Sequence, residues 1–151
     1  KKEEREVEFP LENLLNRNTA HTNIRASLRI KGEYFDVQKI TDALGVTPSC
    51  TWNKGEFIRD SGKKRTYTAW IYKTEIIETL DINASVKQIG ELFYSKVDNL
   101  VGLRKQYELD ISIDFVIVIE NEEPPAIYFD TDFIRFAAKI GAQFDVDTYI
   151  N

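Results

Sequence analysis

A chain of 151 residues with 42% hydrophobic content has enough apolar material for one core of two or three layers, and a split into two domains is not expected. Its formal charge of -5 opposes a phosphate backbone and no long basic run offsets it, so nucleic acid is not the expected partner. No stretch approaches the roughly eighteen consecutive apolar residues of a membrane span, and the opening KKEEREVEFP is too charged for the centre of a signal peptide, so no membrane role is expected.

Cys50 stands alone and cannot close an internal disulfide, which suits a reducing compartment and makes a cytoplasmic location the expectation. The sequence holds no methionine, which reads as a trimmed, processed or engineered chain. Residues 1–21 join a charge run to a short apolar motif and read as an appendage, with Pro10 suited to the first turn of a short helix over 11–15. Residues 22–151 read as a single α+β domain.

In TNIRASLRIKG, Ile24, Ala26, Leu28 and Ile30 alternate with Arg25, Ser27, Arg29 and Lys31, the period of a half-buried strand. DVQKITDALG follows, with Asp36 as N-cap, Val37, Ile40 and Leu44 on one helical face, and Gly45 as a left-handed stop. TYTAWIYKTEI is rich in β-branched and aromatic residues on both faces, and predicts a strand over about 67–75 covered on two sides. From 84 to about 105, Val86, Ile89, Phe93, Val97, Leu100 and Val101 recur at helical spacing, despite a cost of about 1 kcal/mol for Gly90.

ELDISIDFVIVIE is the clearest strand, with Leu109, Ile111, Ile113, Phe115, Ile117 and Ile119 opposite Asp110, Ser112 and Asp114. After Pro124 and Pro125, which cannot donate to a ladder, AIYFD predicts a short strand. Thr131 is the expected cap of a helix presenting Phe133, Phe136, Ala137 and Ile140 and ending at Gly141, and AQFDVDTYI predicts the last strand. Counted from Tyr67, the order is β-α-β-β-α-β, the ferredoxin-like split arrangement, preceded by a β-α unit. The expected fold is therefore α+β, a mainly antiparallel sheet with helices packed on one face.

The succession ASLRIKG, DVQKITDALGVTPSCTWNKGE, TAWIY, a long helix and FAAKIGAQFDVDTY resembles the bacterial family described as domain of unknown function 4279. The likeness spans roughly residues 24–149 and leaves the N-terminal appendage outside. Its most specific elements are the LG-x-x-P and Lys-Gly pair of the loop, and the late glycine followed by alternating apolar and acidic residues. The resemblance implies fold boundaries and carries over no catalytic residue.

The loop LGVTPSCTWNKGEF has two readings. In the structural one Gly45 ends a helix, Pro48 prevents its continuation, Trp52 packs on the sheet edge and NKG turns the chain. In the functional one Lys54 and the amides around Gly55 hold an anion or an acidic side chain, with Trp52 as one wall. The structural reading is favoured, with Trp52 at least partly buried and Lys54 exposed.

Arg25 and Arg29 point the same way from their strand, and ion pairs with Asp110 and Asp114 are expected if the two strands are neighbours. The alternative is an open sheet face used for binding. Trp52, Lys54, Arg25, Arg29 and Trp70 are thus the candidate ligand- or partner-binding residues. No catalytic residue is assigned, because Cys50 and His21 come without an orienting signature. The pairs Asp110 with Asp114 and Asp145 with Asp147 read as solvated sheet face, and no metal or other cofactor is expected.

The function expected is that of a non-enzymatic binding module recognising a protein partner of immunity or regulatory type. The alternative is a sensor or enzyme acting on a small anionic ligand at the 46–58 loop. No RNP-like motif supports RNA binding.

Overall fold

The computed structural model describes residues 21–151, so the short helix expected over 11–15 lies outside the described residues. The alternating segment forms β1 (Asn23–Gly32), and α1 (Val37–Leu44) follows it. Asp36 caps α1 by accepting from the amide of Gln38 at 2.9 Å, and Gly45 ends it at φ 65°, both as the sequence predicts. The chain returns as β2 (Cys50–Trp52), a short edge strand that the loop reading did not predict, and then as β3 (Thr68–Lys73).

A break at Thr74, whose hydroxyl accepts from the amide of Ala26 at 3.0 Å, separates β3 from the two-residue β4 (Ile77–Glu78). The helices α2 (Asn83–Phe93) and α3 (Val97–Tyr107), the long strand β5 (Asp110–Ile119), α4 (Thr131–Ile140) and β6 (Gln143–Ile150) complete the domain.

Three expectations are corrected. The single helix over 84–105 is two helices, joined by a 3-10 turn at Tyr94–Lys96. Gly90 is part of the reason: a Cβ there would stand 2.6 Å from the Tyr94 ring, which lies back over the glycine and packs on Phe136 at 5.0 Å between centroids. The break lets α2 lie on β1 while α3 packs against α4 and α1, the last through Asn99 Nδ2 donating to the Ala43 carbonyl at 2.9 Å.

Secondly, residues 126–130 form no strand. The chain makes one isolated bridge, Asp81 with Ala126. Two prolines before it withhold amide donors, and Asp130 is committed to the next helix. Asp130, and not Thr131, caps α4, with its carboxylate accepting from the Phe133 amide at 2.8 Å. Counting β-α-β-β-α-β from Tyr67 therefore does not hold.

Among the described residues the strands form one sheet ordered β2-β3-β1-β5-β6, with β4 beside the start of β1. All neighbours are antiparallel except β5 and β6, which are parallel and joined through α4. The helices share one face. Ile24, Ala26, Leu28 and Ile30 of β1, Trp70 of β3 and Ile111, Ile113, Phe115 and Ile117 of β5 meet Ile40, Ile89, Phe93, Leu100 and Phe133 in a single buried cluster. Burying aliphatic and aromatic side chains at ~1.5–3 kcal/mol each makes this the main stabilising layer. Among the described residues the opposite face carries a small apolar cluster at one side, Trp52, Ala69 and Ile71, with Cys50 and Tyr67 packed against it.

Candidate functional site

Period-two alternation sends every second residue of the five main strands to the face away from the helices. The register lines them up in rows. Cys50, Ile71, Arg29, Ser112 and Gln143 form one, and Lys73, Ser27, Asp114 and Asp145 the next. On either side run Trp52, Ala69, Lys31 and Asp110, and Arg25, Val116 and Asp147. The charges segregate. Arg25, Arg29, Lys31 and Lys73 occupy β1 and β3, and Asp110, Asp114, Asp145 and Asp147 occupy β5 and β6.

The basic half continues into the β2–β3 hairpin. Its arms stay paired beyond the strands, with the Gly55 amide donating to the Arg65 carbonyl at 2.9 Å and the Arg65 amide to the Glu56 carbonyl at 2.7 Å. This returns Arg65 over Trp52, the guanidinium carbon 3.9 Å from the ring centroid. Tyr67 packs on Trp52 at 5.7 Å, takes Lys31 Nζ over its ring at 5.5 Å, and accepts from Arg29 Nη1 at 3.5 Å. Trp52 is 5% exposed, and its indole N–H is buried with no acceptor among the described residues.

At the seam between the two halves Arg29 Nε meets Asp114 at 3.1 Å, with side chains 13% and 12% exposed. This is the ion pair expected between these strands. Burial pulls the Lys73 ammonium down to about 8, opposed by the nearby Cys50 and reinforced by Arg25 and Arg29. Burial also pushes the Cys50 thiol up, against the pull of Lys73, Arg29 and Arg65, so the thiolate is disfavoured. His21 precedes β1 while Cys50 lies across from Arg29, about 26 Å further along at roughly 3.3 Å per residue. The structure does not bring these two together.

Of the five candidate residues, Trp52, Arg25 and Arg29 share this face. Lys54 does not join them: its ammonium pairs with Glu33 and lies 4.9 Å from the Tyr34 ring centroid, and the bond to Glu33 holds its pKa above the ordinary lysine value. Its backbone amide donates to Thr68 Oγ1 at 3.0 Å, and Thr68 in turn donates to the Glu33 carbonyl at 3.0 Å, so the loop is strapped to the end of β1. Trp70 stands on the helix side, fully buried, its indole N–H donating to Thr41 Oγ1 at 3.0 Å.

Lys31, Arg65, Tyr67 and Lys73 complete the basic half and were not singled out from the sequence. The run KKRTY was the available signal, basic residues leading into an aromatic just before a strand. Among the described residues no group of three or more His, Cys, Asp and Glu could hold a metal ion, and no helix is long and apolar enough to cross a membrane.

The chain belongs to the DUF4279 family. The family model, described as a domain of unknown function, matches residues 22–151. No curated protein and no solved structure matches the chain. All members of the basic half, from Arg25 to Lys73, fall inside the DUF4279 domain, and residues 1–21 precede it.

Proposed function

We propose that this DUF4279 domain is a non-enzymatic binding module that recognises an acidic segment of a protein partner on the basic half of its sheet face. The observation that carries the reading is the concentration of cations on one half of the face, with Arg65, Lys31 and Arg29 beside Trp52 and Tyr67 and with Lys73 and Arg25 further along the strands, in a chain whose formal charge is -5. A ligand that carries several carboxylates is drawn to a surface region where cations are concentrated. A strand face spaces its side chains at about 5 Å across strands and 7 Å along them, which matches an extended peptide better than one small anion.

The sheet order β2-β3-β1-β5 with helices on one side supports reading this part as ferredoxin-like, with α4 and β6 appended. A free, half-buried Cys50 is in keeping with work in a reducing, cytoplasmic setting.

The test is fluorescence anisotropy with a fluorescein-labelled glutamate-rich peptide at low salt. The full chain is expected to bind it, and Arg25→Gln combined with Lys73→Gln is expected to weaken binding about tenfold, the loss of roughly 1.4 kcal/mol. Arg29 is left in place because its partner Asp114 is buried with it. Absence of peptide binding, together with a thermal shift in phosphate or citrate that needs Arg25 and Lys73, would replace this reading with that of a small-anion sensor.

A further inference from the structure

We infer that two copies of this chain pair edge to edge through β6, as antiparallel strands about a two-fold axis, so that their sheets become one. This edge lies at the opposite end of the strand order from β2, and its pairing is independent of what the basic half binds.

The two ends of the strand order differ. β2 runs from Cys50 to Trp52 with Pro48 just before it, and a short strand flanked by proline is a poor template for another chain. β6 runs from Gln143 to Ile150 without proline, lysine or a break in its register with β5, and among the described residues no strand lies on its outer side. A long, regular edge of this kind pairs with other strands unless something covers it.

The phase of the ladder shows what this edge offers. The Asn151 amide donates to the Ile119 carbonyl at 3.1 Å, and Ile119 stands opposite Ile150. In a parallel ladder alternate residues turn both main-chain groups to the same neighbour, so the odd-numbered residues of β6 bond to β5. Phe144, Val146, Thr148 and Ile150 turn theirs outward. Their side chains stand on the helix side, opposite Ile113, Phe115, Ile117 and Ile119, yet Phe144 and Val146 are 37% exposed and Ile150 75%. Outward hydrogen-bonding groups and uncovered apolar side chains thus belong to the same residues.

The sequence of β6 fits its own copy. With Thr148 on the two-fold axis, Val146 stands opposite Ile150 of the second copy, Thr148 opposite Thr148 and Ile150 opposite Val146, and each pair exchanges two main-chain hydrogen bonds. Phe144, held from behind by Phe129 and Phe133 at 4.8 and 5.1 Å, meets Ile150 of the second copy on the diagonal. On the other face Asp147 falls opposite Tyr149, and Asp145 opposite Asn151. An axis at Val146 would instead set Asp145 against Asp147, and one at Asp147 would set that carboxylate against itself, which is destabilising. Shifts toward the start of the strand run into Gly141, whose φ of 65° ends the extended chain.

One strand pair with three apolar side chains from each copy lies near the ~1,000 Å² floor of specific interfaces, and a dissociation constant of order 10 μM is expected. The axis is normal to the sheet, so both helix layers share one side and both charged faces the other. Five strand steps at ~4.8 Å set the two β1 strands about 24 Å apart, and the dimer presents its charged face twice on one surface.

The experiment is sedimentation equilibrium of the full chain over about 1–500 μM, where a reversible monomer–dimer equilibrium is expected. Val146→Lys and, separately, Thr148→Lys are expected to weaken it at least about tenfold, with the fold checked by circular dichroism; Thr148 is exposed, so this variant decides if Val146→Lys does not fold. Amide exchange followed by NMR at low and high concentration is expected to slow at Val146, Thr148 and Ile150 as the dimer forms, and to stay unchanged at Asp145, Asp147 and Tyr149. A chain that is monomeric throughout overturns the inference. Fast exchange at the outward amides of that monomer would leave the edge to a strand of a different protein, and slow exchange would mean that the edge is covered within the chain. A dimer that survives both lysine substitutions, or that leaves the outward amides unprotected, overturns it as well, because it then forms elsewhere.

Discussion

The two faces of the sheet are built from the same strands, yet they are held by different forces. On the helix side β1 and β5 present unbroken apolar rows, and aromatic contacts such as Trp70 with Phe93 at 6.4 Å and Phe115 with Phe133 at 6.1 Å lock the layers. The other side carries cations on one half and carboxylates on the other, with an aromatic corner at Trp52 and Tyr67. Apolar burial is non-directional and stabilises whatever is packed closely. A charged face must find specific partners or lose free energy to desolvation. The first face thus serves stability, whereas the second contributes only where its charges find partners.

The sharpest way to break this contrast is a pair of tryptophan truncations. Trp70→Ala is expected to lower the unfolding free energy by about 3–5 kcal/mol, and Trp52→Ala by about 2–4 kcal/mol, both by denaturant titration. A Trp52→Ala change with no effect on stability would show that its corner contributes nothing to folding.

Next in size is the seam. Asp114→Ala leaves Arg29 little exposed and deprived of its carboxylate, with an expected loss of about 1–3 kcal/mol. The double change Asp114→Leu with Arg29→Met is expected to recover most of it. If it recovers nothing, the pair does more than neutralise itself.

Lys73 supplies a test by pH. Its folded pKa of about 8 lies below the ordinary 10.5, so between these values the unfolded chain binds more protons and stability rises with pH. Among the described residues Cys50, Arg25 and Arg29 act on it, Cys50 favouring the ammonium and the two arginines opposing it. Relative to wild type, Lys73→Met should be stabilised most below about pH 8, and the advantage should fade as the pH approaches 10.5. A stability difference that is flat with pH would mean that the ammonium is not strained by its neighbours. The smallest effect is expected at Lys54, whose pair with the exposed Glu33 is a surface contact: Lys54→Ala should change stability by less than about 0.5 kcal/mol.

Local chemistry written in consecutive residues was legible. Alternation marked β1 and β5, Asp36 and Gly45 bounded α1, and Gly141 stopped α4, because strand period and helix caps depend on the nearest few residues. The loop's role as a strap was legible too, in Gly45, Pro48 and a buried Trp52, although the strand within it was not. Three residues carry too little pattern to identify a strand, and Cys50–Trp52 is one only because β3 is there to pair with it.

What tertiary structure alone decided is which residues meet. Gly90 looked like a tolerated weakness in one long helix, and its meaning emerged only when Tyr94 lay across it. The arrangement of β1 between β3 and β5 put Arg29 against Asp114, which the sequence allowed as a conditional pairing, and the hairpin then brought Arg65 back over Trp52. Sequence spacing specifies the side of a strand on which a charge stands, whereas strand order specifies its neighbour. Long-range pairing is set by the burial of the whole apolar face, so the basic half of this sheet could be seen only after the core had placed its strands.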